Sequence, residues 1–330
     1  MKLQTNIPLQ PASNPFGYEN KLLLVGSCFA ENIGEKLTYS KFQTIVNPYG
    51  ILFHPLAIER VLQDAYNNET NAEETIFELE GVWKSFIAHS RLNSHSKGAM
   101  VDKLKETQSQ LKKALQEASH IFITLGTAWV YQHKETGIAV ANCHKVPQKE
   151  FMKGLLPVDE IVASLNRQCT IIKDMNPNAQ ITFTVSPVRH LKDGFVENTR
   201  SKAHLISAVH EVCSLEKAKY FPAYELMMDE LRDYRFYATD MLHPSQQAID
   251  YIWEKFLEVN AGVYTERHTE PVEVPSRSTK TKKTLKEVEA IQQGVAHRPF
   301  NPENEKHKEF LRKLRVRIAA LQKEFPHITF

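Results

Sequence analysis

The run KLLLVG (Lys21–Gly26), followed at once by SCFAENIGEKL (Ser27–Leu37), decides the fold. KLLLVG is continuously apolar and closes on Gly, as a parallel strand buried on both faces should. In the next segment Phe29, Ile33 and Leu37 recur every four residues, which is the spacing of one helix face. The same alternation repeats downstream. HIFITLG (His120–Gly126) and AQITFTVSP (Ala179–Pro187) read as strands, preceded by helical segments over 100–118 and 158–175. A helix over 202–217 leads to AKYFPAYE (Ala218–Glu225), a short strand and turn. A last helix, 245–259, carries Ala248, Ile252, Phe256 and Val259 on one face. Strands alternating with helices predict an α/β body, a parallel sheet with helices on both faces. TAWVYQHKETGIAVANC (Thr127–Cys143) has two β-rich runs around Glu135-Thr136-Gly137, so a hairpin is expected to project there.

The body is expected to span 1–262. Residues 263–300 carry Pro, Ser and Thr without an apolar period and read as a linker or surface-hugging segment. Over 301–330, Phe310, Leu314, Ile318, Leu321 and Phe325 fall at steps of four or three. That spacing predicts an amphipathic helix with a basic outer face, which docks on the body or pairs with a second copy in a homodimer.

Composition narrows the function. Of 330 residues, 41 are Lys or Arg and 39 Asp or Glu, so the net charge is only +2. This balance supplies no global drive toward nucleic acid or acidic lipid, and neither partner is expected. No stretch reaches the roughly 20 apolar residues that cross a membrane. The N-terminal residues lack the basic start and apolar run of a signal peptide. The four cysteines form no C-x-x-C pair, which suggests a reducing, cytoplasmic setting without a disulfide framework. Histidines show no metal-ligand spacing, and no G-x-G-x-x-G or Walker-type loop follows a strand, so neither metal nor nucleotide cofactor is expected.

Two constellations could carry chemistry. Gly26-Ser27-Cys28 sits at a strand end that opens a helix, and ligands bind open α/β sheets at the carboxyl ends of their strands. Helix N-terminal N–H groups favour negative charge, so a depressed thiol pKa is expected for Cys28. The alternative is a buried, inert cysteine. The second constellation is Asp240-x-x-His243, on a loop before the last helix of the body. A carboxylate three residues from an imidazole can hold it in one tautomer and stabilise its charged form. The alternative is a turn-forming Asp beside a surface His.

Together, a nucleophile after the first strand and a late D-x-x-H resemble the SGNH (GDSL-type) hydrolase superfamily. Gly26-Ser27-Cys28-Phe29-Ala30 spells the motif for which the bacterial GSCFA family is named. Asn47-Pro48-Tyr49-Gly50, Leu125-Gly126-Thr127-Ala128-Trp129, Ala141-Asn142-Cys143-His144-Lys145 and Ser186-Pro187-Val188-Arg189-His190 are similar to segments of that family. The likeness covers roughly residues 20–260 and leaves the tail outside. It implies a three-layer α/β/α, flavodoxin-like sheet with a hairpin insertion and a C-terminal helical tail. It also implies an esterase-like acyl hydrolase or acyltransferase. Gly26 matches the Gly of the superfamily's G-D-S, Ser27 falls at its Asp and Cys28 at its Ser. Cys28 therefore takes the nucleophile position, while a register shift of one would give it to Ser27. Asp240 and His243 match without a shift. Gly50 is the match for the oxyanion-hole Gly. The oxyanion Asn has no direct counterpart, since Thr127 and Ala128 stand there; Asn142 could reach the same space, or act as a turn residue.

Weaker candidates are His144 and Lys145 as pocket lining, and Arg189 and His190 as an anion site or a structural pair. Trp129 and Tyr131 could form a sugar-stacking face or belong to the core. The expected substrate is a small-molecule or saccharide ester. A catalytically inactive small-molecule or saccharide-binding module, or a scaffold acting through its tail helix, is the alternative.

Overall fold

A computed structural model of the protein describes residues 5–68, 72–263, 276–298 and 304–330. In chain order the elements are β1 (Lys21–Gly26), α1 (Cys28–Tyr39), β2 (Gln43–Val46), α2 (Pro55–Asn67), a helical turn α3 (Ala72–Thr75), β3 (Ile76–Leu79), β4 (Val82–Ser85) and α4 (Lys97–Glu117). There follow β5 (His120–Leu125), β6 (Trp129–His133), β7 (Ala139–Val140), β8 (Phe151–Leu155), α5 (Val158–Met175) and β9 (Gln180–Val185). The last are α6 (Phe195–Ser214), β10 (Lys219–Tyr220), a short turn α7 (Ala223–Glu225), α8 (Gln246–Ala261), α9 (Ser276–Ala296) and α10 (Glu305–Glu324).

The central sheet has five strands in the order β10-β9-β5-β1-β2, and β1, β5, β9 and β10 pair in parallel. Read from the other edge, this is the doubly wound flavodoxin-like order, as expected. The strands are long apolar runs because both faces are covered: β5 is buried at every position and β9 at all but its first. β1 lies with Leu22 opposite His120 and Gly26 opposite Thr124. β5 lies with His120 opposite Gln180 and Leu125 opposite Val185. This register sets the carboxyl ends of β1, β5 and β9 at one edge.

The chain divides into two compact units. One comprises Leu22–Gly34 and Ile45–Ile252 with the residues up to Ile7; the other comprises Pro8–Lys21, Glu35–Thr44 and Trp253–Phe330. The first holds the α/β core, where Leu165, Ile172, Phe183, Val185, Leu205 and Val209 have no exposed surface. Helices α2, α4, α5 and α6 pack on one another there. The expected hairpin is present: β6 pairs antiparallel with β7, and β8 joins on its other side. A second hairpin, β3–β4, was not anticipated from the sequence; its strands are four residues each and mostly half-buried, too short for a period to register.

The second unit is built on aromatics. Tyr18 stacks on Phe42 with ring centroids 4.2 Å apart, and Phe16 meets Phe42 edge-on at 5.4 Å. Leu285, Val288 and Ile291 of α9 and Leu314 and Leu321 of α10 are buried. At Gly294 an added Cβ would lie 2.9 Å from Leu314, and Arg317 clasps Glu287 through two hydrogen bonds of 2.7 and 2.9 Å. The tail helix thus forms as expected. The segment read as a linker or surface-hugging stretch is helical over 276–296, where Leu285, Val288 and Ile291, at steps of three, are buried among many lysines and threonines. The part of that linker over 264–275 lies outside the described residues. The boundary between units also falls inside α8, between Ile252 and Trp253, rather than at Gly262. Among the described residues no helix is long and apolar enough to cross a membrane.

Candidate active site

The sheet order reverses direction between β1 and β5, and the crevice at such a switch point is where open α/β sheets bind ligands. Gly26 ends β1 there at φ +135°, with its N–H donated to Asn47 Oδ1 at 2.8 Å and its carbonyl accepting from Leu52 N–H at 2.9 Å. Ser27 N–H donates to Thr124 O at 3.0 Å, which pins the turn to β5. Ser27 itself is fully buried, and its Oγ accepts from Phe29 N–H at 3.4 Å in the first turn of α1. Its geometry is that of a helix cap. Ser27→Ala is expected to lower stability by about 1 kcal/mol, read as a urea midpoint, with the fold retained.

Cys28 opens α1 and remains partly accessible. Its thiol is not depressed as expected. Burial pushes it above the ordinary thiol value, while the Lys202 ammonium pulls it down, Glu31 pushes it up and the N–H groups of Cys28 and Phe29 pull it down. The helix terminus acts in the anticipated direction; desolvation outweighs it.

Asp240 and His243 form the expected pair. Asp240 Oδ2 meets His243 Nδ1 at 2.6 Å, and Oδ1 accepts from the N–H groups of Leu242 at 2.9 Å and His243 at 3.0 Å. These bonds, led by those from His243, hold the Asp240 carboxyl down to about 2. Nδ1 is therefore the protonated nitrogen facing the carboxylate, and Nε2 is left as the base. Both side chains stay nearly half exposed, at 47% and 44%. The loop is tied to the sheet edge by Arg189, whose N–H donates to Leu242 O at 3.1 Å. The Arg189 guanidinium lies 4.1 Å from the Tyr237 ring, stacked rather than ion-paired.

A cavity of about 670 Å³ opens beside this edge. It gathers Trp129, Tyr131, Asn142, His144, Lys145 and His190, all candidates from the sequence. Cys28, Asp240 and His243 do not line it. His190 is the link, because it lines the cavity and lies within reach of the charges of both Lys202 and His243. Asn142 Oδ1 accepts from His144 N–H at 2.8 Å, so it acts as a turn residue on the cavity wall. His144 and Lys145 follow at φ +50° and +65°, two consecutive left-handed residues that the surroundings must hold in place. His144 Nε2 lies between Ser85 O at 2.7 Å and Ala88 O at 3.1 Å, which makes it the donor and leaves a buried, unpartnered Nδ1. Lys153 Nζ lies 4.6 Å over Trp129 and 5.7 Å from the Tyr131 ring, so a cation already covers that aromatic face.

Gly50 adopts φ +77°, and an added Cβ would lie 2.2 Å from His89 Cβ. Its N–H donates to Asn47 O at 2.7 Å, so the amide expected at an oxyanion is already committed within the turn. Three residues escaped the sequence reading. Phe53 accepts from both Gly126 and Thr127 N–H groups through its carbonyl, at 2.7 and 3.0 Å. His54 is buried, with Nδ1 accepting from Ala57 N–H and Nε2 donating to Val140 O. Lys202 is buried at the edge itself. None belongs to a motif; a lone Lys within a helical segment reads as solvated.

Burial holds His54 down to about 4 and, with Lys202 and His243, holds His190 down to about 3, both from 6.5. The folded protein keeps them neutral while the unfolded chain takes up protons below 6.5. The unfolded state then binds more protons, so stability falls as pH falls from 6.5 toward those lower values. The urea midpoint is expected to drop between about pH 7 and pH 4.5, and less steeply in His190→Gln. Among the described residues no group of three or more His, Cys, Asp or Glu side chains is placed to hold a metal ion.

Residues 21–256 match the GSCFA family, and residues 288–330 match the GSCFA domain protein C-terminal domain. No curated protein matches the sequence. One solved crystal structure is similar at 15% identity, covering 46% of this chain and 67% of its own, with a TM-score of 0.29. The first of the two family matches spans both the GSCFA pentapeptide at the end of β1 and the Asp240–His243 pair, and on that extent the chain belongs to the GSCFA family.

Proposed function

We propose that the protein is an SGNH-like acyl hydrolase or acyltransferase that uses Cys28 as nucleophile, His243 as base and Asp240 as the group orienting it. The observation that carries this reading is the Asp240–His243 pair at 2.6 Å, tied through Arg189 to the edge at which Cys28 opens α1. His243 Nε2 takes the thiol proton, and sulfur attacks the ester carbonyl. The carbonyl oxygen takes the developing charge against the N–H of Cys28 at the start of α1. His243 returns the proton to the leaving alcohol. Water or an acceptor hydroxyl then cleaves the thioester, giving the acid or the new ester and regenerating the thiol. The substrate of this reading is a small-molecule or saccharide ester. The reading includes a cytoplasmic setting and a homodimer through α10, whose Phe310 and Val316 are exposed.

The test is a panel of p-nitrophenyl acyl esters followed by peptide mass mapping. An acyl adduct on Cys28 is expected. An adduct on Ser27 or another residue, or no turnover of any ester, defeats the proposal. The second reading, a binding module of the same fold, is favoured by the committed Gly50 amide and the raised Cys28 thiol. It predicts saturable saccharide binding without any adduct.

A further inference from the structure

The acyl-transfer reading leaves the cavity of about 670 Å³ without a role, since Cys28, Asp240 and His243 do not line it. Much of its lining is apolar or aromatic. Phe53, Val140 and Val146 contribute, and Phe53 meets the His190 ring edge-on with centroids 5.3 Å apart. A recess of this size that keeps apolar surface in contact with water suits a small organic ligand.

The charge around it has one sign. Asp193 is the lone carboxylate of the lining, and its Oδ1 accepts from Lys153 Nζ at 2.5 Å. That carboxylate is 11% exposed and is neutralised by its partner. Lys145 and Lys192 also line the cavity, and both are exposed. Among the described residues neither ammonium has a hydrogen-bond or ion-pair partner. The histidines of the wall add no charge. His54 Nδ1 accepts from Ala57 N–H and so carries no proton. His144 donates through Nε2, and no acceptor faces its buried Nδ1. Burial keeps His190 neutral. Two unpaired positive charges therefore stand beside an apolar recess. A cationic ligand would find no free carboxylate there and would be repelled.

We propose that this cavity is a binding site for an amphipathic organic anion, its apolar body against Phe53, Val140 and Val146 and its acidic head held by Lys145 and Lys192. Lysine presents a point charge without the planar fork of arginine, so the site selects the sign of the head group rather than its shape. A carboxylate and a phosphate both meet that requirement. The trapped Lys153–Asp193 pair has a part of its own: Lys153 lies 4.6 Å over Trp129, so the one acid of the lining is kept from competing for Lys145 and Lys192.

The probe is 8-anilinonaphthalene-1-sulfonate, an aromatic anion that fluoresces in apolar surroundings. It is set against N-phenyl-1-naphthylamine, which has the same rings and no charge, both on the full-length folded protein. The sulfonate is expected to bind saturably and about tenfold more tightly than the amine. Lys145→Glu combined with Lys192→Glu should weaken the sulfonate by about tenfold and leave the amine unchanged. Lys105→Glu combined with Lys113→Glu makes the same change of net charge on α4, outside the lining, and should alter neither. Octanoate or octyl phosphate should displace the sulfonate at concentrations where octanol does not, and the stronger of the two identifies the head group as carboxylate or phosphate. Equal affinity for the two probes overturns the proposal, and so does displacement by octanol as effective as that by the anions. An unchanged sulfonate affinity in the Lys145 and Lys192 variant, or an equal loss in the α4 variant, also overturns it. The wild-type comparison of the two probes decides without any variant. No readout involves turnover or Cys28, so a failed ester screen and a failed anion site are separate results.

Discussion

Cys28→Ala and His243→Ala should each lower kcat by about a thousandfold or more on whichever ester is turned over, and the double variant should be no slower than either single. The two groups act on one proton and one bond, so removing either disables the step that both serve. Urea midpoints should stay close to wild type, since His243 is half exposed and Cys28 lies at a helix start. Asp240→Asn is the more diagnostic change. It keeps the shape of the loop but removes the charge that fixes Nδ1 as the protonated nitrogen at 2.6 Å. Turnover should fall with little change in KM. Full turnover in Cys28→Ala rejects sulfur as the attacking atom, and additive losses in the double variant reject a shared step.

Gly26→Ala is expected to be the most damaging small change in the chain, with a loss of about 3 kcal/mol or more in urea unfolding. At φ +135° a side chain is strained, and the added Cβ would lie 2.1 Å from the Thr124 carbonyl oxygen. That neighbour is backbone in the middle of the sheet and cannot rotate away. Both polar groups of Gly26 are in use, by Asn47 and Leu52, so the turn cannot shift without releasing them. Gly81, also in the left-handed region at φ +72°, has open space around it and should tolerate Ala at much smaller loss. A mild Gly26→Ala phenotype would show that β1 and β5 can separate at their ends.

The fold was legible because its strands are buried on both faces and so carry their signal in uninterrupted apolar runs. KLLLVG, HIFITLG and AQITFTVSP became β1, β5 and β9, and 158–175 became α5 with the same bounds. The short half-buried strands β3 and β4 have no such run and gave no signal. For α9 the apolar stripe is three residues deep in a lysine-rich segment, so composition hid the period. At the site, Asp240 and His243 were readable because three residues separate them and local geometry decides their bond. The ionisation of Cys28 was not readable, because it depends on desolvation and on Lys202, 174 residues away in sequence. The role of Gly50 was misjudged for a similar reason: which carbonyl takes an amide is settled by the turn.

Arg189 gives the loops above the sheet a mechanical coupling. Its amide grips Leu242, its guanidinium rests on Tyr237, and His190 is the next residue along the chain. The segment bearing the imidazole base and the segment bearing the half-buried His190 ring are therefore held to each other. Lifting His243 off the sheet has to break the Arg189–Leu242 hydrogen bond.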